Sequence, residues 1–167
     1  MLDVENLTAS ARKLGYEFDY HGLNTAFKAM RKRSHLHAVF SRVPDDERWT
    51  RYFESCGISA LPRSVKSVHT KEGVKKTMNS DISLAVLAGV VLAARSREVV
   101  VATGDGELAT EIAETLKWLA PKTRIATLGV PGSISRRLDA SFNQFVDLNL
   151  IIGKDCLIER VDNGYYS

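Results

Sequence analysis

EVVVATGDGE, residues Glu98 to Glu107, opens as an unbroken apolar run and closes in a turn where two glycines flank an aspartate. A strand without polar alternation is buried on both faces, the habit of parallel sheets covered by helices. A helix follows: Leu108, Ile112, Leu116 and Leu119 share one face, and Pro121 marks its stop. Arg124 to Gly129 (RIATLG) then reads as another strand. Strand, helix and strand in that order make a βαβ unit, so the sheet is expected to be mostly parallel.

Outward from this unit the same alternation holds. Towards the N-terminus, Asn79, Ser80 or Asp81 caps an apolar helix that runs to about Ala94. Residues 58–69 read as a strand with its following loop. Pro44-Asp45-Asp46 caps a helix holding Trp49, Tyr52 and Phe53, and Gly57 ends it. His37 to Val43 (HAVFSRV) is β-branched and aromatic, the composition of a strand. Residues 22–33 carry Leu23, Phe27 and Met30 at helical spacing, and Met1 to Asn6 form a short first strand. Towards the C-terminus, a helix opens at Ser133 or Ser135 and runs through Phe142, and Phe145 to Leu148 is a last short strand. Residues 149–167 form a tail, with an added edge strand at Cys156 to Val161.

The bulk numbers agree with one α/β domain. The chain has 167 residues, 44% of them hydrophobic and 26% charged, which is ordinary for a globular protein and enough to bury a core without staples. Cys56 and Cys156 belong to no CxxC pair, so zinc and redox motifs are not indicated, and two idle thiols in a reducing compartment are expected. The longest apolar run, Ile82 to Ala94, is too short to span a bilayer and reads as a core helix. No signal peptide is recognisable, and a cytoplasmic location is expected. Net charge is +3, from 23 basic and 20 acidic residues. Two stretches concentrate it: Lys28, Arg31, Lys32 and Arg33 without an acid, then Arg63, Lys66, Lys71, Lys75 and Lys76 against Glu72. Each reads equally as a solvated face or as a phosphate-contacting patch.

In open α/β sheets, ligands bind beyond the carboxyl ends of the strands. Asp3 ends the first strand, Asp105 sits in the turn after the central one, Asp81 begins the apolar helix, and Glu107 follows Asp105. Hard cations take oxygen ligands, often a few carboxylates plus water and substrate phosphate. A bound cation supplies a hydroxide nucleophile and neutralises a leaving oxygen, which is what phosphodiester cleavage needs. Each acid also has a plainer reading: Asp81 as a helix cap, Asp105 as a turn residue, Glu107 as a partner for a helix dipole and Asp3 as a solvated residue.

Four blocks together resemble the NYN domains, a branch of the PIN-like nucleases. They are Leu2 to Leu7 (LDVENL), Lys76 to Ala88 (KTMNSDISLAVLA), Val99 to Leu108 (VVVATGDGEL) and Ser135 to Leu148 (SRRLDASFNQFVDL). Their order covers residues 2–148. The resemblance implies a nuclease domain over 1–148 with a tail over 149–167, and a Rossmann-like, PIN-type three-layer sandwich around a mostly parallel sheet. It implies a Mg²⁺- or Mn²⁺-dependent endoribonuclease cutting single-stranded RNA. By the same resemblance Asp3, Asp81 and Asp105 hold the metal, Asn6 lines the pocket, and Glu107 or Asn6 orients the attacking water. Thr103 keeps the hydroxyl of a usual serine and is expected, with Lys75, Lys76 and Arg136, on the substrate side. Three positions depart from the pattern. Glu107 replaces a second aspartate, Leu87 stands where a second acid of its block is usual, and Asn143 replaces the aspartate of the closing block. These departures favour an alternative, a weakened NYN-fold module that binds nucleic acid or protein. RNA is the expected partner, no membrane is, and a homodimer is left open. A dinucleotide-binding protein is a weaker reading, since no GxGxxG follows the first strand. A phosphatase using Asp3 and Glu5 is weaker again. Tyr165 and Tyr166 are read as surface contacts before base-stacking rings.

Overall fold

Glu98–Ala102 lies between two parallel neighbours, as its unbroken apolar character requires. The computed structural model describes residues 1–42, 46–70, 73–77, 80–130 and 156–159. Its elements run β1 (Leu2–Asp3), α1 (Val4–Lys13), β2 (Tyr16–Phe18), α2 (Tyr20–Met30), β3 (His37–Arg42), α3 (Arg48–Ser55), β4 (Ser59–Ser64), β5 (Lys66–Thr70), β6 (Gly73–Thr77), α4 (Ser80–Ala93), β7 (Glu98–Ala102), α5 (Gly106–Leu119), β8 (Arg124–Leu128) and β9 (Leu157–Glu159). The main sheet has the order β4-β3-β1-β7-β8 and all its pairs are parallel. The chain builds outward from β1 through β3 to β4, then returns to the other side of β1 for β7 and β8. The strand order therefore reverses between β1 and β7, where open α/β sheets form their binding crevice.

Two apolar layers complete a Rossmann-like three-layer fold. Leu7 and Ala11 of α1, Leu23 of α2 and Phe53 of α3 pack on one face, against Leu2, Ala38, Phe40, Ala102 and Leu128. Leu84, Leu87 and Ala88 of α4 and Ala109, Ile112 and Leu116 of α5 pack on the other, against Val39, Val99, Val101 and Ile125. Neighbouring strand residues thus serve opposite layers, as the pleat dictates. Both cysteines are buried and neither forms a disulfide. The expectation that Ile82 to Ala94 is a core helix holds for one face only: Ile82, Val86 and Val90 are exposed. Among the described residues no helix is long and apolar enough to cross a membrane.

Three local features differ from the sequence reading. The first strand is two residues long and passes directly into α1, a helix hidden by its overlap with the strand pattern. Asp3 ends the strand and caps the helix, its carboxylate accepting from the Asn6 amide at 3.2 Å. The stretch 58–69 contains two strands. β4 stays in the sheet, while β5 turns back as an antiparallel hairpin with β6. The tail strand is present as β9, but it pairs antiparallel with β2 in a separate ribbon, and the Cys156 carbonyl accepts from the Asp19 amide at 2.8 Å. The helix expected to end at Phe142 and the strand at Phe145 to Leu148 lie outside the described residues.

Phe53 anchors the α1–α3 layer. It is fully buried, with ring centroids 5.0 Å from Tyr20, 5.1 Å from Phe40 and 5.8 Å from Trp49. Truncating a ring so enclosed leaves a cavity that its neighbours fill only in part. Phe53→Ala is therefore expected to lower unfolding free energy by about 3–5 kcal/mol, read as a lower urea midpoint at unchanged slope.

Candidate functional site

The crevice between β1 and β7 is closed by side chains from three consecutive sequence landmarks. Asp3 at the end of β1 is buried, and its Oδ2 accepts from the Thr103 hydroxyl at 2.9 Å. The same hydroxyl accepts from the Asp105 amide at 3.1 Å. Asn6, one turn into α1, accepts through Oδ1 from the Gly104 amide at 2.6 Å. β1 and the turn after β7 are thus locked together by hydrogen bonds across nearly a hundred residues of sequence. Asp105 caps α5, its Oδ1 accepting from the Glu107 and Leu108 amides at 3.0 and 3.1 Å. Asp105 and Glu107 are exposed at the rim, while Asp3 lies beneath them.

Glu5 is an acid that the sequence reading used only as half of a discarded phosphatase pair. It sits in the first turn of α1 and its Oε1 accepts from the Ser41 amide in β3. Its Oε2 is buried and has no hydrogen-bond partner among the described residues. A buried carboxylate oxygen without a donor is costly. That oxygen lies on the same strand-to-helix passage as Asp3. The signal was present in the sequence: Glu5 lies two residues after Asp3, on the same short strand-to-helix passage. Behind it, Tyr20 is buried with its hydroxyl 3.1 Å from the Thr8 hydroxyl and donating to the Val4 carbonyl at 3.4 Å. Burial drives the Tyr20 phenol well above its ordinary range. The Thr8 hydrogen bond opposes this, and negative charge at Tyr52, Glu5 and Asp3 adds to it. Tyr20 therefore stays a neutral donor at any working pH.

The other expected site residues divide in three ways. Asp81 is in the first turn of α4, and Lys75 and Lys76 are neighbours on β6. The side-chain surroundings of these three, and all of Arg136 and Asn143, lie outside the described residues. Thr103, expected on the substrate side, is fully buried, and its hydroxyl supports Asp3 and the Asp105 backbone instead. Leu87 belongs to the α4–α5 core, which explains why no acid stands there: six residues on from Asp81, the helix has turned that position towards the sheet. Among the described residues, no three acids, histidines or cysteines are grouped closely enough to hold a metal.

The two basic stretches part company. Arg31 pairs at 3.1 Å with Glu98, the first residue of β7, so the run around residues 28–33 lies at the edge opposite the acids. It is the solvated face and not a phosphate patch for this crevice. The second stretch rises from the acids' edge, since the β5–β6 hairpin joins the C-terminal end of β4 to the start of α4. There Arg63, the first cation of that stretch, donates to the Ser83 hydroxyl at 2.8 Å in the first turns of α4.

No family model matches the chain, and no curated protein does. Among solved structures, a protein of unknown function from Vibrio parahaemolyticus RIMD 2210633 superposes with a TM-score of 0.67 at 20% identity, over 94% of this chain and 93% of that one. The likeness extends the Rossmann-like fold to a second protein and carries no activity with it.

Thr103 offers a direct test of the lock. Thr103→Val keeps the shape but removes the donor to a buried carboxylate, and is expected to cost about 1–3 kcal/mol. Thr103→Ser keeps the hydroxyl and should fall within about 1 kcal/mol of the parent by the same denaturation measurement.

Proposed function

We propose that this chain is a metal-dependent ribonuclease that cuts single-stranded RNA at the β1–β7 crevice. The observation that carries the reading is the hydrogen-bonded lock of Asp3, Thr103 and Asp105 at the point of strand-order reversal. Two carboxylates are fixed there on rigid elements, at the edge where this architecture binds ligands. The resemblance of four sequence blocks to NYN domains supports the same reading, as does the oxygen-only donor set, which suits Mg²⁺ or Mn²⁺.

In this reading Asp3, Asp81 and Asp105 hold the cation, with Asp81 the third ligand that the described acids do not themselves provide. A cation held there would supply charge neutralisation and make a coordinated water more acidic. Asp105 keeps Oδ1 for its cap and offers Oδ2. Asn6 has its oxygen committed to Gly104, so it holds the attacking water through its amide nitrogen, with Glu107 as the acceptor at the rim. Thr103 positions Asp3. Lys75, Lys76, Arg136 and Arg63 supply cations for phosphates, which fix register without reading sequence. The cytoplasm is the proposed setting, where two buried cysteines without a disulfide are ordinary.

Asp105→Asn is the informative variant, because asparagine caps helices about as well as aspartate. It should leave stability nearly unchanged while lowering Mn²⁺-dependent cleavage of a single-stranded RNA at least about 100-fold, a loss of roughly 2.7 kcal/mol in the barrier term. Asp81→Asn should do the same, and chelation by EDTA should abolish cleavage in the parent. Equal cleavage by parent and Asp105→Asn would sink the proposal. The second reading, a binding module with the same fold, is favoured by the absence of a three-acid group among the described residues. Titration calorimetry separates the two: a module of that kind gives no Mn²⁺ heat above background, and the ribonuclease gives saturable binding lost in Asp81→Asn.

A further inference from the structure

One face of α1 carries Glu5, Thr8 and Arg12 at helical spacing, so it leads away from the acids. Thr8 and Arg12 then enter a groove of about 540 Å³ whose other walls are Glu17 and Phe18 of β2, Tyr20 of α2, and Arg48, Trp49 and Tyr52 of α3. That volume lies in the range of small-ligand sites. Tyr20 is shared: its hydroxyl meets Thr8 in the groove and the Val4 carbonyl beside the acids.

The aromatic wall is built to present a ring. Trp49 stacks on buried Phe53, with centroids 5.8 Å apart and planes 27° from parallel, and Tyr52 meets it edge-on at 5.7 Å. One indole face is therefore covered, yet the residue remains 43% exposed, and Tyr52 38%. A rigid indole with one face packed and the other open is a stacking platform. The charges narrow the ligand. Arg12 and Arg48 repel the quaternary ammonium groups that an aromatic cage would otherwise suit. Glu17 among the groove residues, and the Asp46 carboxylate that holds Arg48 at 2.6 Å, leave the groove without the large positive field of a duplex-binding surface. What fits is one flat, unpaired base with a phosphate within reach of a guanidinium.

We infer that this groove is a base-stacking subsite for single-stranded RNA, with a base on the open face of Trp49, Tyr52 beside it and Arg12 on an adjoining phosphate. The inference rests on the ribonuclease reading. It adds where the strand runs: along α1, from the acids to Arg12. Those seven residues rise about 10 Å, so the stacked base lies roughly two nucleotides from the cut.

The test uses the Asp105→Asn chain in EDTA, so that neither cleavage nor metal enters, and follows the anisotropy of labelled eight-nucleotide RNA. Trp49→Ala should weaken binding roughly 5- to 100-fold, the range for loss of one stacked base. Trp49→Phe, which keeps an aromatic face, should restore most of that affinity, and Trp49→Ala should melt close to the parent, so that lost packing on Phe53 does not account for the weakened binding. Arg12→Ala should lower the slope of log affinity against log salt by about 0.7. Unchanged affinity in both Trp49 variants, or equal binding of double-stranded RNA, overturns the subsite. Cleavage by the Asp105 parent with an unchanged KM in Trp49→Ala removes the subsite and leaves the nuclease standing. Trp49-dependent binding without any cleavage does the reverse.

Discussion

The Thr103 hydroxyl holds this architecture together at its centre, because it serves two masters at once. It donates to the buried Asp3 carboxylate and accepts from the Asp105 backbone. Asp3 in turn starts α1 and Asp105 starts α5, so a single hydroxyl ties the entry points of helices on opposite faces of the sheet. β1 has only two residues, and Asp3 is one of them. The central strand's last residue, two helix caps and the crevice are therefore one cooperative unit. A carboxylate buried this way is tolerated because donors surround it, the usual condition for charge inside a protein.

Much of this was legible in residues alone. β7 and α5 declare themselves because buried parallel strands are uniformly apolar and the helix after them has a clear apolar face. The parallel sheet and the placing of Asp3 and Asp105 at its carboxyl edge follow from that unit. What stayed hidden has physical causes. α1 is masked because its cap is also a strand residue, so one stretch carries two patterns. The β5–β6 hairpin is masked because β4 runs into it without a marked break. Thr103 looks like a substrate contact because a hydroxyl in a glycine turn is ambiguous between facing out and facing in, and only packing decides. Glu5 enters from sequence only as a partner for Asp3 in a phosphatase pair, and packing is what shows its oxygen buried without a hydrogen-bond donor among the described residues.

Electrostatics sorts the surface by sheet edge. Asp3 and Asp105 meet Thr103 where the strand order reverses, while the acid-free run beginning at Lys28 reaches Glu98 at the other edge. Charge counted along the sequence cannot make that distinction, since both basic stretches look alike there. The topology does, because β4 delivers the second stretch to the acids' side and α2 delivers the first away from it. The bidentate pairing of Arg48 with Asp46, which holds that carboxylate down at about 2, likewise turns a nominal cation into an orienting group for the α3 entrance.

The β2–β9 ribbon has a temporal meaning. Tyr16, Glu17 and Phe18 pair with Glu159, Ile158 and Leu157, so segments far apart in sequence close on each other. During synthesis the sheet strands through β8 leave the ribosome first and are free to pair at once. β2 then waits for a partner made after every strand of the main sheet, and contacts so distant in sequence are the slow ones to form. Glu17 and Phe18 belong to the wall beside Trp49, so a nascent chain holds its acid crevice before its groove is finished. Maturation of the two surfaces is staggered, and the arrival of β9 sets the moment when the second is complete.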